Sequence, residues 1–307
     1  MKAAVLADVH GNLPALKAVL EDARIQGAEK FVLAGDYVFD LPWSNGVTET
    51  VRGLSGAAVA AGNKEGYLKA YQEGQWDCDQ LGAMGQTMRE LTPENRDYLT
   101  SLPPSATLTL PLGKRIFAAH WFPGFLTGGK QTAISSRMFR VAAETPGFTR
   151  EAFWEEVRAF LEHGYVADAL READADVFVF GHTHLQWHGF AGDKLLLNPG
   201  SCGVPLDGDT RAPYTLLTET PDGFTVEERR VRYDVEAAIR EAEQSEVYRR
   251  GKVWLELVFA ALRTGLDTFA PFFDAASRIA NERGETFPPF SDEVWNLAYE
   301  EHKACLR

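Results

Sequence analysis

Cysteine is scarce in this 307-residue chain. Cys78, Cys202 and Cys305 show no repeated spacing, which argues against a disulfide framework, a cysteine zinc knuckle and a redox Cys-X-X-Cys pair. A reduced, cytoplasmic setting is expected. Long apolar runs are also missing, with none approaching the roughly 20 residues that span a bilayer. The opening MKAAVLADVHG reaches Asp8 too soon for a signal peptide, so neither export nor membrane insertion is expected. Basic residues are short as well: 31 Lys and Arg stand against 44 Asp and Glu, a formal net charge of −13. A field of that sign opposes binding to extended nucleic acid or an anionic membrane. One phosphate could still be drawn to a local cationic site. What is present is ordinary, since 45% hydrophobic and 24% charged residues give a folded chain with a sizeable core.

The first third alternates short apolar runs with helical patterns, as in layered α/β structures. Lys2 to Ala7 reads as a buried strand. Asn12 can cap a helix that tolerates Pro14 in its first turn and carries Leu13, Leu16, Leu20 and Ala23 at helical spacing before Gly27. Residues 31–33 and 57–59 read as two more strands, each stopping before polar residues. Thr92 starts another helix, and residues 107–110 and 115–119 read as a hairpin that delivers His120. Residues 121–150 have little periodicity and several glycines, which suggests a lid or binding loop. Helical patterns at 151–161 and 166–173 precede a strand at 177–180 that runs into GHTH. The alternating stretches from 186 to 231, with turn signals between them, suggest that this half is antiparallel. The expected fold is α/β with mixed α+β character: a two-sheet β-sandwich flanked by helices. From about Asp234 the pattern is wholly helical. The predicted division is therefore a catalytic domain at 1–233 and a helical extension at 234–307, whose apolar stripe through Val253, Leu257 and Leu262 must pack on the core or on a second copy.

Polar residues collect just after successive predicted strands: Asp8 with His10, Asp36, Asn63, His120, and His182 with His184. This is where open α/β sheets place their ligands. Imidazole and oxygen donors without thiolate suit manganese, iron or zinc. The set is too large for one ion and fits two.

The series DVHGN at 8–12, GD at 35–36, GNKE at 62–65, lone His120 and GHTH at 181–184 resembles the calcineurin-like metallophosphoesterases, in the same order along the chain. The resemblance extends over about 1–231 and includes NPGS at 198–201. It implies that Asp8, His10 and His184 hold one divalent metal, that Asn63, His120 and His182 hold a second, and that Asp36 bridges them, with Asn12 near the substrate phosphate. Asp36, Asn63, His120 and Asn12 would be the catalytic set. Two such ions would activate a bridging hydroxide and stabilise an in-line displacement at phosphorus. The implied cofactors are Mn2+ or Fe2+/Fe3+, with Zn2+, Ni2+ or Co2+ as alternatives. The neutral Asn63 amide keeps the site cationic, as a phosphate anion requires.

One position departs from the pattern. Many relatives carry histidine directly after the asparagine of the third motif, where it serves the leaving oxygen; here it is Lys64. An ammonium, with a reference pKa of roughly 10.4, is a poor proton donor near neutrality. Phosphodiester or phosphoanhydride hydrolysis is therefore expected ahead of monoester or protein phosphatase activity. The run RRVRYDVEAAIREA at 229–242 is similar to bacterial members that cleave dinucleoside polyphosphates. In that reading Trp121 and Phe122 would stack on a base, and Arg137 or Arg140 would meet further phosphates. The expected partner is a small phosphodiester or nucleotide, and the extension offers a surface for a homo-oligomer. Other readings are a nuclease for short substrates and a non-catalytic scaffold on the same fold, although scaffolds usually shed ligands that this chain retains.

Simpler readings exist for individual residues. His163, His188 and His302 match no motif and read as surface or core residues, with His188 near enough to GHTH for a supporting bond. Lys64 and Glu65 can begin a helix. Trp254, Phe272, Phe273 and Trp295 read as packing aromatics.

Overall fold

The computed structural model describes residues 1–71, 78–121, 134–171, 174–286 and 288–303. Its strands, in chain order, are β1 (Lys2–Leu6), β2 (Lys30–Ala34), β3 (Ala58–Ala60), β4 (Ser105–Thr109), β5 (Arg115–Ala119), β6 (Val177–Val179), β7 (Gln186–Ala191), β8 (Lys194–Pro199), β9 (Ala212–Thr220) and β10 (Gly223–Val231). They form two five-stranded sheets, ordered β10-β9-β1-β2-β3 and β4-β5-β6-β8-β7. Alternation along each strand sends side chains to both faces. On β1, Ala3 and Val5 face the second sheet and meet Ile116, Ala118, Val177 and Leu197 in the inter-sheet core. Ala4 and Leu6 face outward and pack with Leu16, Val19 and Leu20 of the helix Leu13–Ile25. A third cluster, with Phe153, Val157, Phe160 and Trp187, covers the outer face of the second sheet. The result is the expected helix-flanked sandwich of two sheets.

The helix Leu13–Ile25 starts as expected: Asn12 Oδ1 accepts from Ala15 N at 3.1 Å, and Pro14 lies in the first turn. Two expectations change. The half after residue 174 is mixed rather than antiparallel, because β6 pairs in parallel with both β5 and β8. A three-residue apolar run buried on both faces carries no mark of direction. The helices Arg150–Leu161 and Gly164–Arg171 set it by returning the chain between β5 and β6. The stretch 121–150 is also not loop throughout. Ser135 caps a helix at Ser136–Glu144, which the extension holds through Ser136 to Asp267 at 3.0 Å and Arg137 to Asp274 at 2.6 Å. Phe122 and the glycines at 124, 128 and 129 lie outside the described residues.

The helices after Val235 pack on the sandwich. Ile239, Val258, Phe259 and Leu262 meet Leu41, Ala83, Val204 and Leu206, while Val253 and Leu257 meet Phe272, Val294 and Trp295 within the extension. The apolar stripe of residues 253–262 is thus covered by the chain itself. Among the described residues, no helix is long and apolar enough to cross a membrane.

Candidate metal centre

The loops that follow β1, β2, β3, β5 and β6 converge at one end of the sandwich. Backbone bonds join them: Asp8 N donates to Gly35 O at 3.0 Å, His10 N to Asp36 O at 3.0 Å and Gly203 N to Asp8 O at 3.0 Å. Asp8, His10, Asp36, His182 and His184 all take positive φ, between 51° and 69°. L-residues seldom adopt this conformation, and where it occurs it concentrates at functional sites. Here it turns side chains from separate loops toward a common point.

Two groups of ligand-type atoms result, Asp8 with His10 and His184, and Asp8 with Asp36 and His120, all atoms in each group lying within 4.8 Å of one another. Asp8 Oδ1 lies 3.8 Å from His10 Nε2, 3.6 Å from His184 Nε2 and 3.9 Å from His120 Nε2. Asp36 Oδ2 also lies between the groups, 3.4 Å from His120 Nε2 and 4.0 Å from His10 Nε2. Asn63 Oδ1 is 3.0 Å from His120 Nε2. The His182 ring stands beside that of His120, with centroids 5.3 Å apart, and the Trp121 ring packs against His182 at 3.8 Å and edge-on to His120 at 5.7 Å.

The outer nitrogens of these imidazoles are fixed. His120 Nδ1 donates to Ala34 O at 2.8 Å and His184 Nδ1 to Val204 O at 2.7 Å. A carbonyl can only accept, so in the neutral ring Nε2 is left as an inward lone pair, the arrangement that orients metal-binding histidines. His10 turns Nδ1 to Asp40 Oδ2 at 2.5 Å, the carboxylate counterpart of the same device. His10 and His184 then face each other through Nε2 at 3.0 Å. Two bare lone pairs do not hold that spacing without a cation or proton between them. This mixture of imidazole, carboxylate and amide donors, buried at Asp8, His10, Asp36 and His120, fits divalent ions.

The electrostatics point the same way. Burial disfavours charge throughout, but at His10 the Asp40 carboxylate outweighs it and lifts the pKa to about 10. At His120 the Asp36 carboxylate does the same, to about 9. Burial, aided by the His120 charge, pushes His182 down to about 4, and burial lowers His184. Burial would raise Asp36 and Asp40, but His120 and Lys64 respectively hold both well below the usual carboxylate range. The pocket therefore stabilises positive charge near its carboxylates.

Over residues 1–186 the chain matches the calcineurin-like phosphoesterase family. It belongs to that family. Membership suggests a phosphoester hydrolase, and the family typically binds divalent metals, for which this chain has candidate ligand groups. It is 28% identical over 240 residues to an uncharacterized protein of Methanocaldococcus jannaschii, covering 76% of this chain and 89% of the relative. The crystal structure of a metallophosphoesterase from Sphaerobacter thermophilus aligns with a TM-score of 0.58 at 23% identity, over 87% of this chain and all of that one. A hypothetical protein from Pyrococcus horikoshii OT3 aligns with a TM-score of 0.61 at 19% identity, over 84% and 97%. These two structures share its fold.

Several supporting residues of this phosphoesterase escaped the reading by motif. Asp40 holds His10 and accepts a bond from Trp254 Nε1 at 2.8 Å, across 214 residues of sequence. Glu65 is buried and accepts from Asp36 N, Tyr37 N and Gly62 N at 3.0, 2.9 and 2.7 Å, tying two ligand loops together. Asn198 donates to Gly181 O and Thr183 Oγ, and Ser201 Oγ donates to Asp8 O. GNKE and NPGS were therefore the available pointers to Glu65, Asn198 and Ser201, while Asp40 lies in neither. Asn12 is buried, and both amide hydrogens are taken by Gly203 O and Tyr233 OH. Lys64 extends Nζ to 3.7 Å from Asp40 Oδ1. Arg137 pairs with Asp274, and Arg140 bonds to Asp267 O and Glu144. His188 pairs with Glu228 at 2.8 Å rather than with the GHTH loop.

Proposed function

We propose that this phosphoesterase uses two divalent ions, manganese or iron, to hydrolyse phosphodiester or phosphoanhydride bonds. The observation that carries the reading is the convergence of Asp8, His10, Asp36, His120 and His184 with inward Nε2 atoms and anchored Nδ1 atoms. Bound ions would supply an activated water and a cationic seat for the phosphoryl oxygens. Asp8, His10 and His184 would hold one ion, and Asn63, His120 and His182 the other, with Asp36 between them. Asn12 acts in this reading as a strap between the first helix, the Gly203 turn and Tyr233, and so keeps the Asp8 loop in place.

The preference for diesters and anhydrides rests on Lys64. Its ammonium is engaged with Asp40, so no side chain at that position stands ready to protonate a poor leaving group. Diesters and anhydrides with stabilised leaving groups suffer least from this lack. The test compares manganese-loaded protein on bis-p-nitrophenyl phosphate and p-nitrophenyl phosphate, alongside Asp36→Ala. We expect higher kcat/KM on the diester and a fall of orders of magnitude for Asp36→Ala in a protein with unchanged circular dichroism. A monoester preference would overturn the substrate class. Failure to bind any ion at saturating manganese would overturn the mechanism.

A further inference from the structure

A cleft of about 420 Å³ opens beside the metal centre and shares two residues with its surroundings, Asp40 and Lys64. Asp40 backs His10, and the Lys64 backbone N–H donates to Asp36 Oδ1 at 2.9 Å. Its lining includes Tyr67 and Tyr71 of the helix Asn63–Tyr71 and Trp254, Phe273 and Trp295 of the extension. The lining rings pack on one another: Tyr67 and Tyr71 centroids lie 6.0 Å apart edge to face, Trp254 and Phe273 6.1 Å apart, and Phe273 and Trp295 6.0 Å apart. Tyr67 is 41% exposed, whereas the lining aromatics of the extension are buried or half-buried. A larger recess of about 880 Å³, bounded by Arg249, Arg250 and Glu300, shares no residue with the ligand cluster.

We infer that this cleft receives the aromatic base of a nucleotide phosphoester whose phosphate is held at the metal centre. The inference rests on the proposed phosphoesterase reading for the position of the phosphate. The volume is in the range of small-ligand sites. Aromatic side chains lining the cleft from both the helix Asn63–Tyr71 and the extension favour a flat π-system, since every base presents a face on which such rings stack. The Lys64–Asp40 ion pair lines the same cleft and connects it to the metal centre through His10. The extension thus completes the substrate site, and the catalytic sandwich alone supplies only part of the cleft lining. Trp254 links the two functions, because its indole lines the cleft while its N–H bonds to the carboxylate that orients His10.

The test is a ratio of affinities measured calorimetrically on the full chain, with manganese and without it, for adenosine 5′-monophosphate against ribose 5-phosphate. The two probes carry the same phosphate and differ in the ring. We expect the adenine-bearing probe to bind at least about tenfold tighter. Tyr67→Ala, at an exposed position, and Phe273→Leu, which keeps an apolar side chain, should each bring the two affinities within about threefold. Equal affinities in the unaltered protein, including no binding of either probe, overturn the inference, as does a ring preference that survives both substitutions. Octyl phosphate binding as tightly as adenosine 5′-monophosphate would assign the cleft to aliphatic chains and also overturn it. A ring preference in a protein that binds no manganese and cleaves no ester would defeat the phosphoesterase proposal while leaving the cleft assigned.

Discussion

The loop end of the sandwich and the C-terminal helices solve opposite problems. Among the described residues, every non-glycine residue with positive φ lies in three loops at the metal centre: Asp8 and His10, Asp36 with Phe39 and Asp40, and His182 with His184. In the described part of the extension, positive φ occurs only at Gly265 and Gly284, each closing a helix in the left-handed cap that glycine adopts freely. The loops hold charged, buried groups in a sparsely populated backbone conformation, and the extension buries alanine, leucine and phenylalanine in regular helices. Such strained loops persist only where their surroundings over-determine them. Glu65, Asn198, Ser201 and Asn12 are those surroundings. The extension joins them at Asp40 through Trp254.

The largest effect on stability should separate the two regions directly. A Cβ at Gly11, where φ is +69°, would sit 2.2 Å from Leu41 O and 2.7 Å from Phe39 O. Both contacts are backbone, so the loop itself must shift. Gly11→Ala should cost about 3 kcal/mol or more in urea unfolding. Gly284 has a similar φ of +67°, but among the described residues no atom comes within 4 Å of where its Cβ would stand. Gly284→Ala should therefore cost about 1 kcal/mol, the strain alone. Equal losses would show that crowding at the metal centre adds nothing to conformational strain.

A smaller effect sharpens the link between the regions. Asp40→Asn keeps the size of the side chain and a residue type that tolerates positive φ, but it removes the charge opposite His10. Manganese affinity should fall about 10- to 100-fold, as for other residues that orient a ligand from behind. Trp254→Phe, which removes the bond from the indole to Asp40 together with part of the ring packing on Phe269 and Phe273, should lower the affinity by less. Competition with a fluorescent chelator measures both. An Asp40→Asn protein with unaltered affinity would dissociate the extension from the metal centre.

The two regions also differed in how far they could be read from the amino-acid order. The seven ligand candidates stood out because each follows a strand end by one to five residues, in motifs whose order is itself informative. Asp40 carries no motif, and its partner Trp254 comes 214 residues later, so only tertiary packing reveals the pair. Trp254 read as a packing aromatic because helical spacing does not distinguish a covered face from the wall of a cleft. The helix Ser136–Glu144 was missed for a related reason: its one buried residue is Phe139, and its anchors Asp267 and Asp274 belong to the extension. The parallel direction of β6 depended on crossover helices rather than on the strand's own residues.

The smallest expected effect lies on the outer side of the first sheet, remote from both chemistry and extension. Asp22 of the first helix accepts from Tyr214 OH at 2.6 Å and from Arg229 Nε at 2.9 Å, joining that helix to β9 and β10. Burial would raise the Asp22 pKa, but the bonds from Arg229 and Tyr214 outweigh it and hold the carboxyl below its ordinary value. A carboxyl lowered in the folded state stabilises the protein above its unfolded pKa of about 3.9, and that contribution disappears as pH falls through the folded value. Because the pair is partly exposed, its worth at neutral pH is under about 1 kcal/mol. Asp22→Asn should therefore lose a fraction of a kilocalorie at pH 7, and the gap to the unaltered protein should close as pH drops below about 4. Melting curves of both proteins across that range measure it. A gap that stays constant with pH would mean that Asp22 acts through shape and hydrogen bonding alone, with no contribution from its charge.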